Sequence, residues 1–351
     1  MKNVLKIILV IMGTLIGAGF ASGREIYLFF GKFGKLGIIG ILISGILTGI
    51  IIYITLKIIN KKDINNYDEL LEKINIKNKY INLLIKNIIT IFLLISFYIM
   101  VAAFSAYMNQ TYEIPIYISS IIFAFFAYII FIRNIQGMIK VNEILVPILL
   151  MLILYLGIKN VPYLLETKNV LDFDTVEKGF FINSILYTSY NSIMLIPILI
   201  TMKKYINNEK QIKQISVISS ILIILLSFCI FGLLLKGKYY IKNVEMPLLS
   251  ITMQFGKIYL YIYSFIIITS IFTTAISAGY SFLENVSKNK KQYKVALIFM
   301  SVTSILVSNI GFSKLVEILY PLFGILGIIQ IIFLIKENKY KKGIMQIYLK
   351  K

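Results

Sequence analysis

Ten stretches of predominantly apolar residues follow one another along the chain, most of them close to the length of about 20 that a helix needs to cross a bilayer. They fall at 4–30, 36–59, 80–108, 114–132 and 137–158, then at 180–202, 212–235, 258–283, 295–310 and 315–335. Runs of this length select helices, because a barrel strand crosses with only about 10 residues. Mean hydropathy is +0.85. Charged residues make up 15% of the chain, against about 25% in soluble domains. The expectation is an all-α, multi-pass protein of the cell membrane with the lipid bilayer as its surroundings.

The net charge of +20 would point to nucleic acid in a soluble protein. Here the lysines sit in short loops and tails between apolar runs, so no nucleic-acid partner is expected. With a cytoplasmic N-terminus, 24 Lys and Arg residues fall on inside segments and 10 on outside ones. Positive residues collect on the cytoplasmic side, so both termini are expected inside. Lys2 and Lys6 before an apolar stretch mimic a secretory leader, but apolar sequence resumes after Arg24 and Glu25 and argues against cleavage. Cys229 is the single cysteine, which excludes an intrachain disulfide. The chain has no histidine, which removes imidazole relays, His metal sites and His-activated nucleophiles. An enzyme is therefore not expected, and neither is a cofactor.

The spans divide five and five. Residues 1–158 form the first repeat, 159–179 an outside connecting loop, 180–335 the second repeat and 336–351 a cytoplasmic tail. An odd number of spans per half inverts the second half, the arithmetic of an inverted-repeat transporter. In such folds the two central helices are interrupted, and their freed backbone holds solute and ions. The first span carries Gly13, Gly17, Gly19 and Gly23 followed by Arg24 and Glu25, which predicts a break there. The sixth carries Tyr187-Thr188-Ser189-Tyr190-Asn191-Ser192 and then Pro197, which predicts a matching one. Small residues four apart also allow close helix packing, and hydroxyls also serve as interhelical glue.

The run Gly13–Glu25, reading GTLIGAGFASGRE, resembles the opening signature of the YkvI-like family of bacterial membrane proteins. That family is similar to the amino acid–polyamine–organocation superfamily, with its ten-helix leucine-transporter fold and broken helices 1 and 6. The resemblance implies a sodium site between the first and eighth spans, with sodium as the candidate coupling ion. It would use the carbonyls of Gly13 and Ile16 and the segment Ser270 to Thr274, with Thr273 and Thr274 offering hydroxyls. Neutral oxygens suit such a hard cation. The position that would serve a second sodium reads Phe20. The resemblance also implies an outer gate between the first and tenth spans, for which Arg24 and Glu317 are the candidates. A bonded neighbour pair, Arg24 with Glu25 at the interface, is the alternative.

For a solute, amides at the break around Gly17, Ala18 and Gly19 favour a carboxylate. Oxygens around Tyr190, Asn191 and Ser192 favour an ammonium. Together they complement a zwitterion such as an amino acid, so the expected partner is a small-molecule solute. A secondary active transporter is the leading expectation. A solute sensor on the same scaffold is the alternative.

Overall fold

The computed structural model describes residues 2–73, 79–132, 134–166, 179–236, 246–253 and 255–348. The first span is three helices in series: α1 (Lys2–Leu15), α2 (Ala18–Ala21) and α3 (Arg24–Phe29). Spans two to five are α4 (Lys35–Lys62), α6 (Lys79–Tyr112), α7 (Ile116–Phe131) and α8 (Asn134–Glu166), with the short α5 (Tyr67–Lys73) between the second and third. Spans six to ten are α9 (Phe180–Thr201), α10 (Glu209–Lys236), α12 (Lys257–Val286), α13 (Lys290–Val307) and α14 (Phe312–Tyr348). The short α11 (Pro247–Met253) stands between the seventh and eighth. Each expected run thus becomes a helix or a broken helix, and α5 and α11 occupy equivalent places in the two halves.

Packing follows the same pairing. The first span lies on the fifth as the sixth lies on the tenth, and it lies on the seventh as the sixth lies on the second. The third packs on the eighth, the second on the seventh and the fourth on the ninth, each being its own counterpart. This is the contact set of a five-plus-five inverted repeat. Two domain limits move. Helix α8 continues to Glu166, so the expected loop does not begin at 159, and residues 167–178 lie outside the described residues. Helix α14 continues to Tyr348, so the expected tail from 336 is helical to that point.

Small residues let the helices approach. A methyl at Gly45 of α4 would lie 2.1 Å from Ile224 of α10, and one at Gly49 would lie 2.7 Å from Ser220. Ser220 Oγ donates to the Gly45 carbonyl across 2.8 Å. Between helices in lipid, such contacts and bonds replace the hydrophobic drive that water supplies elsewhere. The periphery stays apolar, with Phe125, Phe126, Phe299 and Leu306 exposed where lipid would cover them. Helix α9, by contrast, is almost wholly enclosed.

Candidate functional site

The first span breaks where its glycines lie. Ile16 ends the helical ladder with its amide on the Met12 carbonyl at 2.8 Å, and Gly17 is extended at φ −92° and ψ −172°. Any residue could adopt those angles, so the need for glycine at this position is one of space. A methyl there would meet Thr274 at 3.2 Å. Gly13 is tighter, since a methyl would come within 1.7 Å of Asn142 Oδ1 on α8.

A second interruption was not expected. Gly23 has φ 80°, in the left-handed region open to glycine, and it divides the outer half-helix into pieces of four and six residues. The carbonyls exposed there find partners: Tyr263 Oη donates to the Ala21 carbonyl, and the Leu248 amide donates to that of Ser22. The amides expected around Gly17, Ala18 and Gly19 thus belong to a four-residue helix and not to one long outer half-helix.

The expected break in the sixth span is absent, because α9 runs helical from Phe180 to Thr201 with Pro197 inside it. Its polar run makes its shortest hydrogen bonds within α9, although Thr188 Oγ1 also reaches the Ser44 carbonyl of α4 at 3.3 Å. Thr188 Oγ1 donates to the Ser184 carbonyl at 2.9 Å, Asn191 Nδ2 to Tyr187 at 3.0 Å and Ser192 Oγ to Ser189 at 2.7 Å. Such back-bonding lets hydroxyl and amide side chains sit inside a helix without opening it.

Of the expected sodium-site groups, Thr274 faces the break. Its hydroxyl donates to the Gly13 carbonyl at 2.9 Å and approaches that of Thr14 at 3.4 Å. Thr273 and Ser270 turn to their own helix, bonding Thr269 at 3.0 Å and Ile267 at 2.8 Å respectively. Asn142, fully buried on α8, was missed by the sequence reading, yet its Oδ1 lacks a hydrogen-bond partner among the described residues. Gly13 is thus met from two sides, by Asn142 Oδ1 of α8 against its Cα and by the Thr274 hydroxyl of α12 at its carbonyl.

Beside it, Thr14, Gly17, Ser96, Tyr190, Tyr320 and Thr274 line a cavity of about 10 Å³, room for about one water. Tyr190 reaches this space, whereas Asn191 and Ser192 are held to α9. The space that these described residues line is thus water-sized, smaller than the solute-sized opening expected between two breaks. A second polar space of about 60 Å³ lies at the other end of α9, among Asn65, Asp68, Lys86, Pro197 and Glu284. Arg24 and Glu317 meet as an ion pair, Arg24 being mostly shielded and Glu317 about half exposed. The neighbour Glu25 takes no part in it. Glu25 points inward and is 2% exposed. At the opposite end Lys203 Nζ meets Asp63 Oδ1 and Asn65 Oδ1, each at 2.6 Å.

Among the described residues eight helices are long and apolar enough to cross a membrane, and with the shorter apolar α1 and α7 they make an all-α membrane protein of the leucine-transporter architecture. The YkvI-like resemblance extends over nine-tenths of the chain. It is 28% identical to the uncharacterized membrane protein YkvI of Bacillus subtilis (strain 168), over 90% of each chain. It is 25% identical to the uncharacterized protein YyaD of the same organism, over 94% of this chain and 96% of that one. No family model matches the chain. Among solved structures it is similar to a Na+-coupled sialic acid symporter in a substrate-bound outward-open state. That likeness has a TM-score of 0.62 and 16% identity, covering 92% of this chain and 76% of the other.

Proposed function

We propose that the protein is a secondary active transporter of a small solute, an amino acid or similar zwitterion, coupled to sodium. The observation that carries the reading is the break at Ile16 and Gly17, bonded by Thr274 of the eighth span and adjoining an enclosed cavity. Backbone that leaves helical geometry inside a membrane protein lines a cavity or is buried in protein. In transporters that cavity is the solute site, reached alternately from the two sides. The small cavity fits an occluded state, with Arg24 and Glu317 closing one end and Lys203 with Asp63 closing the other. Both termini belong on the cytoplasmic side by the distribution of Lys and Arg, which makes the Lys203 end the inner one. The symporter likeness and the neutral oxygens around Gly13 and Thr274 support sodium as the coupling ion.

Purified protein in liposomes tests the reading. An inward sodium gradient should drive accumulation of at least one member of a radiolabelled amino acid panel, and collapsing the gradient should abolish it. Binding without accumulation under any gradient would instead identify a sensor.

A further inference from the structure

One acidic side chain in this region has no role in the gate or among the oxygens around Gly13 and Thr274. Glu25, in the first turn of α3, is 2% exposed, and its Oε1 has no hydrogen-bond partner among the described residues. Its neighbour Arg24 is committed to Glu317 across the bundle. Tyr187 and Asn191 stand within hydrogen-bonding reach of the carboxyl group, with Tyr190 and Tyr320 close by, and among the described residues no lysine or arginine joins them. Asn191 already gives an amide hydrogen to its own helix.

The surroundings are aromatic as well as uncharged. Tyr190 and Tyr320 stack with ring centres 4.3 Å apart, and Phe29 lies parallel to Tyr190 at 6.4 Å. The same two tyrosines line the enclosed cavity beside Gly17. Gly19 leaves the carboxylate its room, since a methyl there would lie 2.8 Å from Glu25 Oε2 and 3.0 Å from Tyr320. A carboxylate buried without a cation is costly and is retained where it meets a charge that comes and goes. A carboxylate beside tyrosine rings and hydroxyls is an arrangement that can receive an ammonium, chiefly through charge-assisted hydrogen bonding.

We propose that Glu25 is the docking point for a cationic nitrogen on the solute. The site then selects small ammonium-bearing solutes by the ammonium, and a carboxylate on the solute is dispensable. This refines the transporter reading and rests on it for the claim that the cavity is a solute site.

Equilibrium binding to the full-length protein in detergent tests the proposal. The probes are alanine, leucine and lysine, each with its decarboxylated amine (ethylamine, isoamylamine, cadaverine) and its deaminated acid. The expected result is that at least one amino acid and its matched amine bind, while the matched acid does not. Glu25→Gln should weaken both by about tenfold or more, the scale of a lost bond to a charged group. It should fold at least as well as the parent, because a neutral amide is cheaper to bury than a carboxyl group that can ionise. Binding of the acid but not the amine would overturn the proposal without any variant. So would undiminished ammonium binding by Glu25→Gln, or failure of every ammonium probe to bind the parent protein. The transporter reading is scored separately by accumulation in liposomes, so binding without accumulation would remove that reading and leave the docking assignment standing.

Discussion

The hydroxyl of Thr274 donates to the carbonyl of Gly13 across 2.9 Å, tying the middle of α12 to the last turn of α1. Two elements separated by most of the chain are joined at the point where the first span loses its helical path. Anything that alters this contact acts on the break directly.

Thr274→Val keeps the shape and removes the hydroxyl. It should cost about 1 kcal/mol of stability, the net worth of one hydrogen bond. Sodium-dependent solute binding should weaken by about tenfold, since one of the oxygens around Gly13 is lost. Thr273→Val, whose hydroxyl is bonded within α12, should have the smaller effect. Equal losses in the two variants, measured as solute affinity against sodium concentration, would contradict the assignment.

Gly19→Val should abolish solute binding, because its first carbon would already fall 2.8 Å from the Glu25 carboxylate. Leu5→Val is the control, since Leu5 is 58% exposed on the lipid side of α1. Binding retained in Gly19→Val would place the site elsewhere.

Breaking the ion pair between Arg24 and Glu317 should open the end of the bundle that it closes. With the native Cys229 replaced by Ser, a cysteine at Ser96 in the cavity reports the opening through its labelling rate by a water-soluble thiol reagent. Arg24→Gln and Glu317→Gln should each raise that rate. The reversed pair, Arg24→Glu with Glu317→Arg, should bring it back towards the parent value. No change in any of the three would remove these residues from the gate.

At the other end, the Lys203 ammonium bonded to Asp63 holds the aspartate pKa below its ordinary value. A depressed carboxylate pKa contributes stability above the unfolded value, about 3.9, and that contribution fades as pH falls through the folded one. Asp63 is fully exposed, so the effect is small. Asp63→Asn tests it cleanly, because asparagine also tolerates the left-handed backbone found there, φ 51°. The variant should melt slightly below the parent near neutral pH, and the gap should close in acid. A gap that persists in acid would mean that the charge pair is not its cause.

The number, order and nature of the spans could be read from the chain itself, because lipid enforces a length and a polarity on every crossing whatever its neighbours. The break at Gly17 was equally legible, since glycines that dense weaken a helix locally. The ion pair of Arg24 with Glu317 also followed, by way of family likeness. What the tertiary structure decided were the places where a side chain chooses between partners. The hydroxyl run of α9 carries the composition of a weak point, yet Thr188, Asn191 and Ser192 bond their own helix and keep it whole. Thr273 and Thr274 are neighbours of one type, and only the packing of α12 on α1 sends one of them to Gly13. A pairing of Arg24 with its neighbour Glu25 at the interface was the alternative reading. The turn at Gly23, held by Tyr263 and Leu248 from other elements, orients α3 so that Arg24 meets Glu317 while Glu25, a step further round the helix, is buried. Spacing along a chain fixes which residues share a helix, whereas the direction of a buried charge depends on partners that the fold alone brings within reach.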